Sequence, residues 1–215
     1  MSKGLFIVIE GVDGAGTTTQ VEALSAALRS RVSARSTREP TTGPVGALLR
    51  LALTGRLVTP GALGAHAPGW RTLALMFAAD RLDHIEAEIA PLLDEGAVVI
   101  SDRYYHSSVA YQSRSAGSDS EAIDWIRALN RYARKPDLTI VLDVSPEVAA
   151  RRRRARGGAE LFDDDDLQRR LVEFYAQLER HFPGEPIVHL DGDAPREQVS
   201  AGVLSQVERL LAARG

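Results

Sequence analysis

The sequence predicts an α/β fold, a parallel sheet flanked by helices on both faces, and three observations predict it. Short apolar, β-rich runs alternate with longer stretches of helical spacing. The runs are continuously apolar, as strands buried between two helical layers are. A glycine-rich turn joins the first run to the first helical stretch. Strands separated by helices in this way pair in parallel, because each return crossing is made by a helix.

The elements follow in order. Leu5–Ile9 is apolar and closes on Glu10–Gly11, so it reads as a buried strand. Thr18–Arg31, Val45–Thr54 and Trp70–Leu93 have helical spacing. Val98–Ser101 reads as a second strand, Ser120–Arg134 as a helix and Thr139–Asp143 as a third strand. Ser145–Arg154 is a helix with a good start, since Ser145 can cap and Pro146 suits the first helical position. Leu167–His181 is helical, Ile187–Leu190 is a fourth strand, and Arg196–Arg214 is a closing helix. No repeat or linker marks a boundary. The expectation is one domain over residues 1–215, with at most a small mobile lid.

Composition excludes several classes. There is no cysteine, so disulfides, thiolate metal sites and cysteine nucleophiles are out. The net charge of −3 gives no general attraction for nucleic acid or anionic membrane, and neither partner is expected. No apolar run approaches the roughly 20 residues of a membrane span. The start, "MSKGLFIVIEG", turns acidic before a signal peptide's apolar region is complete, which points to the cytoplasm.

The chemistry gathers in a few stretches. "GVDGAGTTT" comprises Gly11, Val12, Asp13, Gly14, Ala15, Gly16, Thr17, Thr18 and Thr19. It fits the phosphate-loop pattern G-x-x-x-x-G-K-[ST] everywhere except position 17, where threonine replaces lysine. Backbone N–H groups and the helix N-terminus can still hold phosphate, and Thr18 can offer its hydroxyl to magnesium. The same glycines also suit a plain tight turn. In "SDRYYHSSVAYQS", Asp102 and Arg103 end a strand, where a carboxylate can hold magnesium-bound water and a guanidinium can fork onto phosphate. An ordinary surface ion pair is the other reading. "STREPTTGPVG" offers Arg38 in a shaped loop. Phe77 and Arg81 stand four apart in "LMFAADRLDH" and share a helical face, either as core residues or as a ring and a fork for a nucleobase. "ARRRRARGGAELFDDDD" sets five arginines, Arg151 to Arg154 and Arg156, before four aspartates. It suits a solvated helix end, a nucleic-acid contact whose field the aspartates cancel, or a hinged lid closing over phosphates.

In this order these segments resemble the bacterial thymidylate kinase family of phosphate-loop nucleoside monophosphate kinases. The likeness runs from "FIVIEGVDGAG" through "TREP", "FAADR", "SDRYYHSSVAYQ" and "PDLTIVLDVSPEVA" to "VHLDGD". It implies a phosphate-loop kinase fold with a parallel five-stranded sheet and a mobile lid at about 150–166. It implies transfer of the ATP γ-phosphoryl group to dTMP, giving dTDP for dTTP biosynthesis, with Mg²⁺ bound at Thr18 and Asp102. By the same resemblance, Phe77 stacks on thymine, Arg81 bonds its edge, and Ser108 and Gln112 lie by its imide edge. Tyr111 packs on the deoxyribose, Asp13 faces the 3′-hydroxyl, Arg38 and Arg103 hold the acceptor phosphate, and Tyr175 closes the pocket. The loop from Gly11 to Thr19 binds ATP, the "LDGD" turn borders adenine, and Arg152 and Arg156 of the lid join Asp13 and Arg103 as catalytic groups. A homodimer is implied as well. The alternatives are a catalytically weakened nucleotide-binding homologue, for which Thr17 speaks, and a kinase for another nucleoside monophosphate. Thr17, "EPTTG" in place of the usual "EPGGT", His106 in place of an acid, and a longer segment before "FAADR" depart from the family pattern.

Overall fold

A computed structural model describes residues 4–115, 120–156, 162 and 164–214, with the side chain of Arg156 left out. Among these residues five strands form one parallel sheet: β1 (Leu5–Glu10), β2 (Ala34–Arg38), β3 (Val98–Asp102), β4 (Leu138–Asp143) and β5 (Ile187–Asp191). Their spatial order is β2-β3-β1-β4-β5. Every residue of β1 and β3 is buried, so both faces of the sheet centre are covered. That is the condition under which an uninterrupted apolar run, not an alternating one, makes a strand.

Ten α-helices are described: α1 (Thr17–Leu28), α2 (Pro44–Leu53), α3 (Trp70–His84), α4 (Ala90–Asp94), α5 (Tyr105–Ser115), α6 (Ser120–Leu129), α7 (Pro146–Arg156), α8 (Asp165–Tyr175), α9 (Leu178–His181) and α10 (Arg196–Ala212). α1 and α10 pack together and on the sheet, while α5 packs with α3, α6 and α8. The expected helix over Trp70–Leu93 is present but not uniform, because a π-helical stretch, Ile85–Ile89, separates α3 from α4. Pro91 lies just beyond it, and a proline ring inside a helix conflicts with the carbonyl one turn back. The wider turn relieves that conflict.

Three expectations need correction. β2, "ARSTR", escapes a search for apolar runs because it is a sheet edge with exposed side chains, held by its backbone pairing to β3. α5 was not anticipated as a helix, since Ser, Tyr and His are weak helix formers. Burial overrides propensity there, for eight of its residues are buried. α6 stops at Leu129 instead of continuing to Arg134, because the Asn130 amide turns back to donate to the Ile126 carbonyl at 2.8 Å. No helix among the described residues is long and apolar enough to cross a membrane.

Candidate active site

The β1–α1 turn is the glycine loop. Gly14 and Gly16 have φ of 90° and 95°, backbone that only glycine adopts without strain. Gly16 is the N-cap of α1, whose first turn carries no acidic residue, so its N–H groups and dipole are uncompensated. Thr17 is buried, and its methyl lies 3.6 Å from where a Cβ on Gly11 would stand. It fills space beneath the loop.

Next in the sheet, β3 ends at Asp102, paired in register with Ile9 on one side and Arg38 on the other. The Thr18 hydroxyl donates to Asp102 Oδ2 at 2.5 Å. Asp102 Oδ1 is buried and has no hydrogen-bond partner. A hydroxyl and a half-satisfied carboxylate are a donor set that suits a hard divalent cation shared with phosphates. A groove beside them is lined by Thr18, Arg38, Thr41 and Asp102.

Arg103 follows with φ 68°, an unusual value for a side-chain-bearing residue. The turn aims its guanidinium back over the loop. It donates to the Gly11 carbonyl at 2.8 Å, to Ser107 at 3.1 Å and to Asp13 Oδ1 at 2.7 Å. Asp13 Oδ2 also takes the Gln168 amide at 3.3 Å.

A cleft of about 130 Å³ opens beside this ion pair, lined by Asp13, Glu39, Phe77, Arg81, Arg103, Ser108, Tyr111 and Gln112 among others. Arg81 is 1% exposed and spans its base. It donates to Glu39 Oε2 at 2.6 Å, Ser108 Oγ at 3.0 Å and Asn130 Oδ1 at 2.5 Å. Glu39 also meets His84 Nδ1 at 3.2 Å. Asp80 pins the loop that delivers Glu39, taking the Thr41 N–H at 2.8 Å and its hydroxyl at 2.6 Å. Arg81 Nε, Tyr111 OH and Gln112 Oε1 are buried without partners. Burial pushes the Tyr111 phenol well above its ordinary range, so it stays neutral. Unsatisfied groups of this kind mark a place where a polar ligand completes the bonding.

The structure therefore gathers Asp13, Phe77, Arg81, Arg103, Ser108, Tyr111 and Gln112 around one cleft. It does not put Arg38 or Tyr175 among that cleft's lining residues. Arg38 lines the neighbouring groove, and the Tyr175 hydroxyl lies beneath, donating to Glu10 Oε2 at 2.9 Å with Ser107 also at 2.9 Å. Ala15, Gly16, Thr19 and Gly192 line a further hollow with Arg152, so the "LDGD" turn does approach the loop. The Arg152 guanidinium is only near the Gly14 and Ala15 carbonyls, at 3.5 and 3.3 Å. The Arg156 side chain, residues 157–161 and Asp163 lie outside the described residues.

Sequence reasoning missed Glu10, Glu39 and Asp80. Glu10 is fully buried and accepts from Tyr104 N, Ser107 N, Ser107 Oγ and Tyr175 OH. The argument that singled out Asp102, an acid at the carboxyl end of an apolar strand, applies equally to Glu10. Glu39 and Asp80 stand inside "TREP" and "FAADR", beside residues that were chosen.

A glycine loop at the β1–α1 turn, an acidic strand end beside it and a parallel sheet in this order define a phosphate-loop nucleotide-binding α/β protein. The chain belongs to the thymidylate kinase family, whose description matches residues 9–203. It is 41% identical over 207 residues to a probable thymidylate kinase of Pyrobaculum aerophilum, covering 96% of this chain and 97% of that one. It is 40% identical to a probable thymidylate kinase of Thermococcus kodakarensis, covering 96% and 98%. The thymidylate kinase of Xanthomonas campestris pv. campestris is 39% identical, covering 89% of this chain and 78% of that one. These relatives support the family without singling out its bacterial branch.

Proposed function

We propose that the protein moves the γ-phosphoryl group of ATP to the 5′-phosphate of dTMP, giving dTDP and ADP. The observation that carries this reading is the cleft holding unpartnered Arg81 Nε, Tyr111 OH and Gln112 Oε1 directly beside the glycine loop, in a chain of this family. Thymine presents carbonyl acceptors and one imide N–H. Arg81 and Ser108 supply donors and Gln112 Oε1 an acceptor, while Phe77 offers a stacking face. Tyr111 packs against the deoxyribose and leaves no room for a 2′-hydroxyl. Asp13 faces the 3′-hydroxyl. Arg103 holds the acceptor phosphate, Arg38 approaches it from the groove, and Tyr175 supports the floor through Glu10 and Ser107.

The ATP phosphates lie in the N–H groups of Gly11 to Thr19. An acceptor phosphate oxygen of dTMP bonds to the γ-phosphorus, the bond to the β,γ-bridging oxygen breaks, and ADP leaves with that electron pair. The side chains position the two phosphates in line and offset their charge. Asp102 and Thr18 are the residues that would hold Mg²⁺, which supplies charge neutralisation on the β- and γ-phosphate oxygens when bound. Arg152 and Arg156 belong to a lid at about 150–166 on a single domain and contact the transferring group.

Exposed leucines on α2 and α3 support a homodimer, and the expected location is the cytoplasm. Incubation with Mg²⁺, ATP and dTMP should yield dTDP and ADP in equal amounts. Thr17 favours a second reading, a protein that binds both nucleotides without turning them over. Binding of ATP and dTMP with no dTDP formed would select it.

A further inference from the structure

His106 is fully buried at the start of α5, its ring centroid 4.3 Å from that of Tyr105 and 4.5 Å from that of Phe182. Two carboxylates face it. Nε2 lies 3.0 Å from Glu185 Oε2, and Nδ1 lies 3.7 Å from Glu10 Oε1 with no hydrogen-bond partner of its own. Burial alone would raise the Glu185 carboxyl, yet the hydrogen bonds from His106 and Tyr105 hold it below its ordinary 4.5. An ionised carboxylate only accepts, so Nε2 carries a ring proton and donates it. Lys135 stands 3.8 Å from the other oxygen of Glu185, and Arg103 is the other charged group near Glu10.

Glu10 ends β1, one residue before the glycine loop, and ties α5 to it. Its Oε1 accepts the Tyr104 and Ser107 N–H groups at 2.8 and 3.2 Å, and its Oε2 the Ser107 and Tyr175 hydroxyls at 2.7 and 2.9 Å. α5 in turn supplies Ser107, Ser108, Tyr111 and Gln112 to the dTMP cleft. A shift of its first turn therefore moves the groups that α5 presents there, and misplacement by about 1 Å is enough to cost about 10²-fold. An acid at 106, where the family pattern has one, would press a third carboxylate between Glu10 and Glu185.

We propose that His106 is a positioning residue: by bridging Glu10 to Glu185 it fixes the first turn of α5, and so aims Ser108, Tyr111 and Gln112 at dTMP. The inference rests on the dTMP-binding reading of the cleft and deepens it. It makes Glu185, which lines a separate hollow with Lys135 and Phe182, part of how that cleft is held.

The test measures dTMP affinity by calorimetry and the KM of both substrates in His106→Leu, His106→Gln, Glu185→Ala and the double variant His106→Leu with Glu185→Ala. His106→Leu keeps the apolar packing and should weaken dTMP binding by about tenfold or more, with the KM for ATP within about twofold. His106→Gln, whose amide can still donate to Glu185, should stay within about threefold of wild type. Glu185→Ala should weaken dTMP binding by at least about threefold although it lies outside the cleft, and the double variant should be no worse than His106→Leu, since both changes cut one bridge. An equal rise in both KM values, unchanged dTMP affinity in His106→Leu, a glutamine variant as weak as the leucine one, or single losses that multiply in the double variant would overturn the proposal. Should His106→Leu not fold, Glu185→Ala decides: weaker dTMP binding with the KM for ATP unchanged supports it, and wild-type dTMP affinity overturns it. Wild-type protein that binds dTMP but forms no dTDP would sink the kinase reading alone, and dTMP affinity would still test His106.

Discussion

Arg81 and Glu39 are buried together, each with side-chain exposure of 2% or less. Arg81→Ala leaves the Glu39 carboxylate without its best partner, so chemical denaturation should show a loss of about 3–5 kcal/mol. Adding Glu39→Ala should cost less than the sum of the single changes, because the pair is one unit. In the kinase reading, Arg81→Ala also raises the dTMP requirement more than the ATP requirement, and equal effects would argue against its place at the base. Tyr111 separates two ideas, since its ring and its hydroxyl, which lies by Asp13 and Arg103, can be removed separately. Tyr111→Phe should leave discrimination against ribo-TMP unchanged, and Tyr111→Ala should erode it by about tenfold or more in kcat/KM. Unchanged discrimination in the alanine variant would refute the steric account. The four-residue spacing made the shared face of Phe77 and Arg81 legible in the sequence. The Glu39 partner was not legible, because it closes across 42 positions and only the packed fold brings it there.

Elements explain what periodicity could and could not show. Buried strands declare themselves by apolar runs, whereas β2 is held by backbone bonds at an edge and leaves no such mark. α5 is rich in poor helix formers and exists because its neighbours bury it. Its first turn is tied to the segment before β5: the Tyr105 hydroxyl donates to Glu185 at 2.7 Å, and His106 Nε2 lies at 3.0 Å. Burial alone would raise the Glu185 carboxyl, yet these hydrogen bonds, with the charges of His106 and Lys135, hold it below its ordinary 4.5. A group depressed in the folded state stabilises above its unfolded value and loses that contribution as pH falls through the folded one. Acid unfolding followed by circular dichroism should therefore steepen below pH 4.5, and Glu185→Gln should flatten that part of the curve. An identical acid profile in the variant would remove Glu185 from the explanation.

At the scale of the whole molecule, α2 and α3 leave Leu48, Leu51, Leu75 and Leu82 38–51% exposed. Helices packed side by side with leucines facing out suit a second copy of the chain, and the proposed dimer uses that face. Leu75→Glu with Leu82→Glu should shift sedimentation to the 23.3 kDa species. A wild-type protein already at that mass would dispose of the dimer. The parallel sheet and the loop were legible because an apolar strand, a glycine turn and a helix are local signals, whereas the strand order β2-β3-β1-β4-β5 was not. The cleft was legible in part, through motifs at the strand ends, while the cations that face the loop depend on how α7 docks. The central claim is that a loop without its lysine still serves phosphoryl transfer to dTMP. The most direct test is steady-state ADP release by the wild-type protein with Mg²⁺ and ATP, compared across dTMP, dUMP, dCMP and dGMP. The account predicts ADP release that requires the acceptor, with kcat/KM for dTMP at least about 10²-fold above dCMP and dGMP. ADP release independent of dTMP, or equal for all four acceptors, would contradict it.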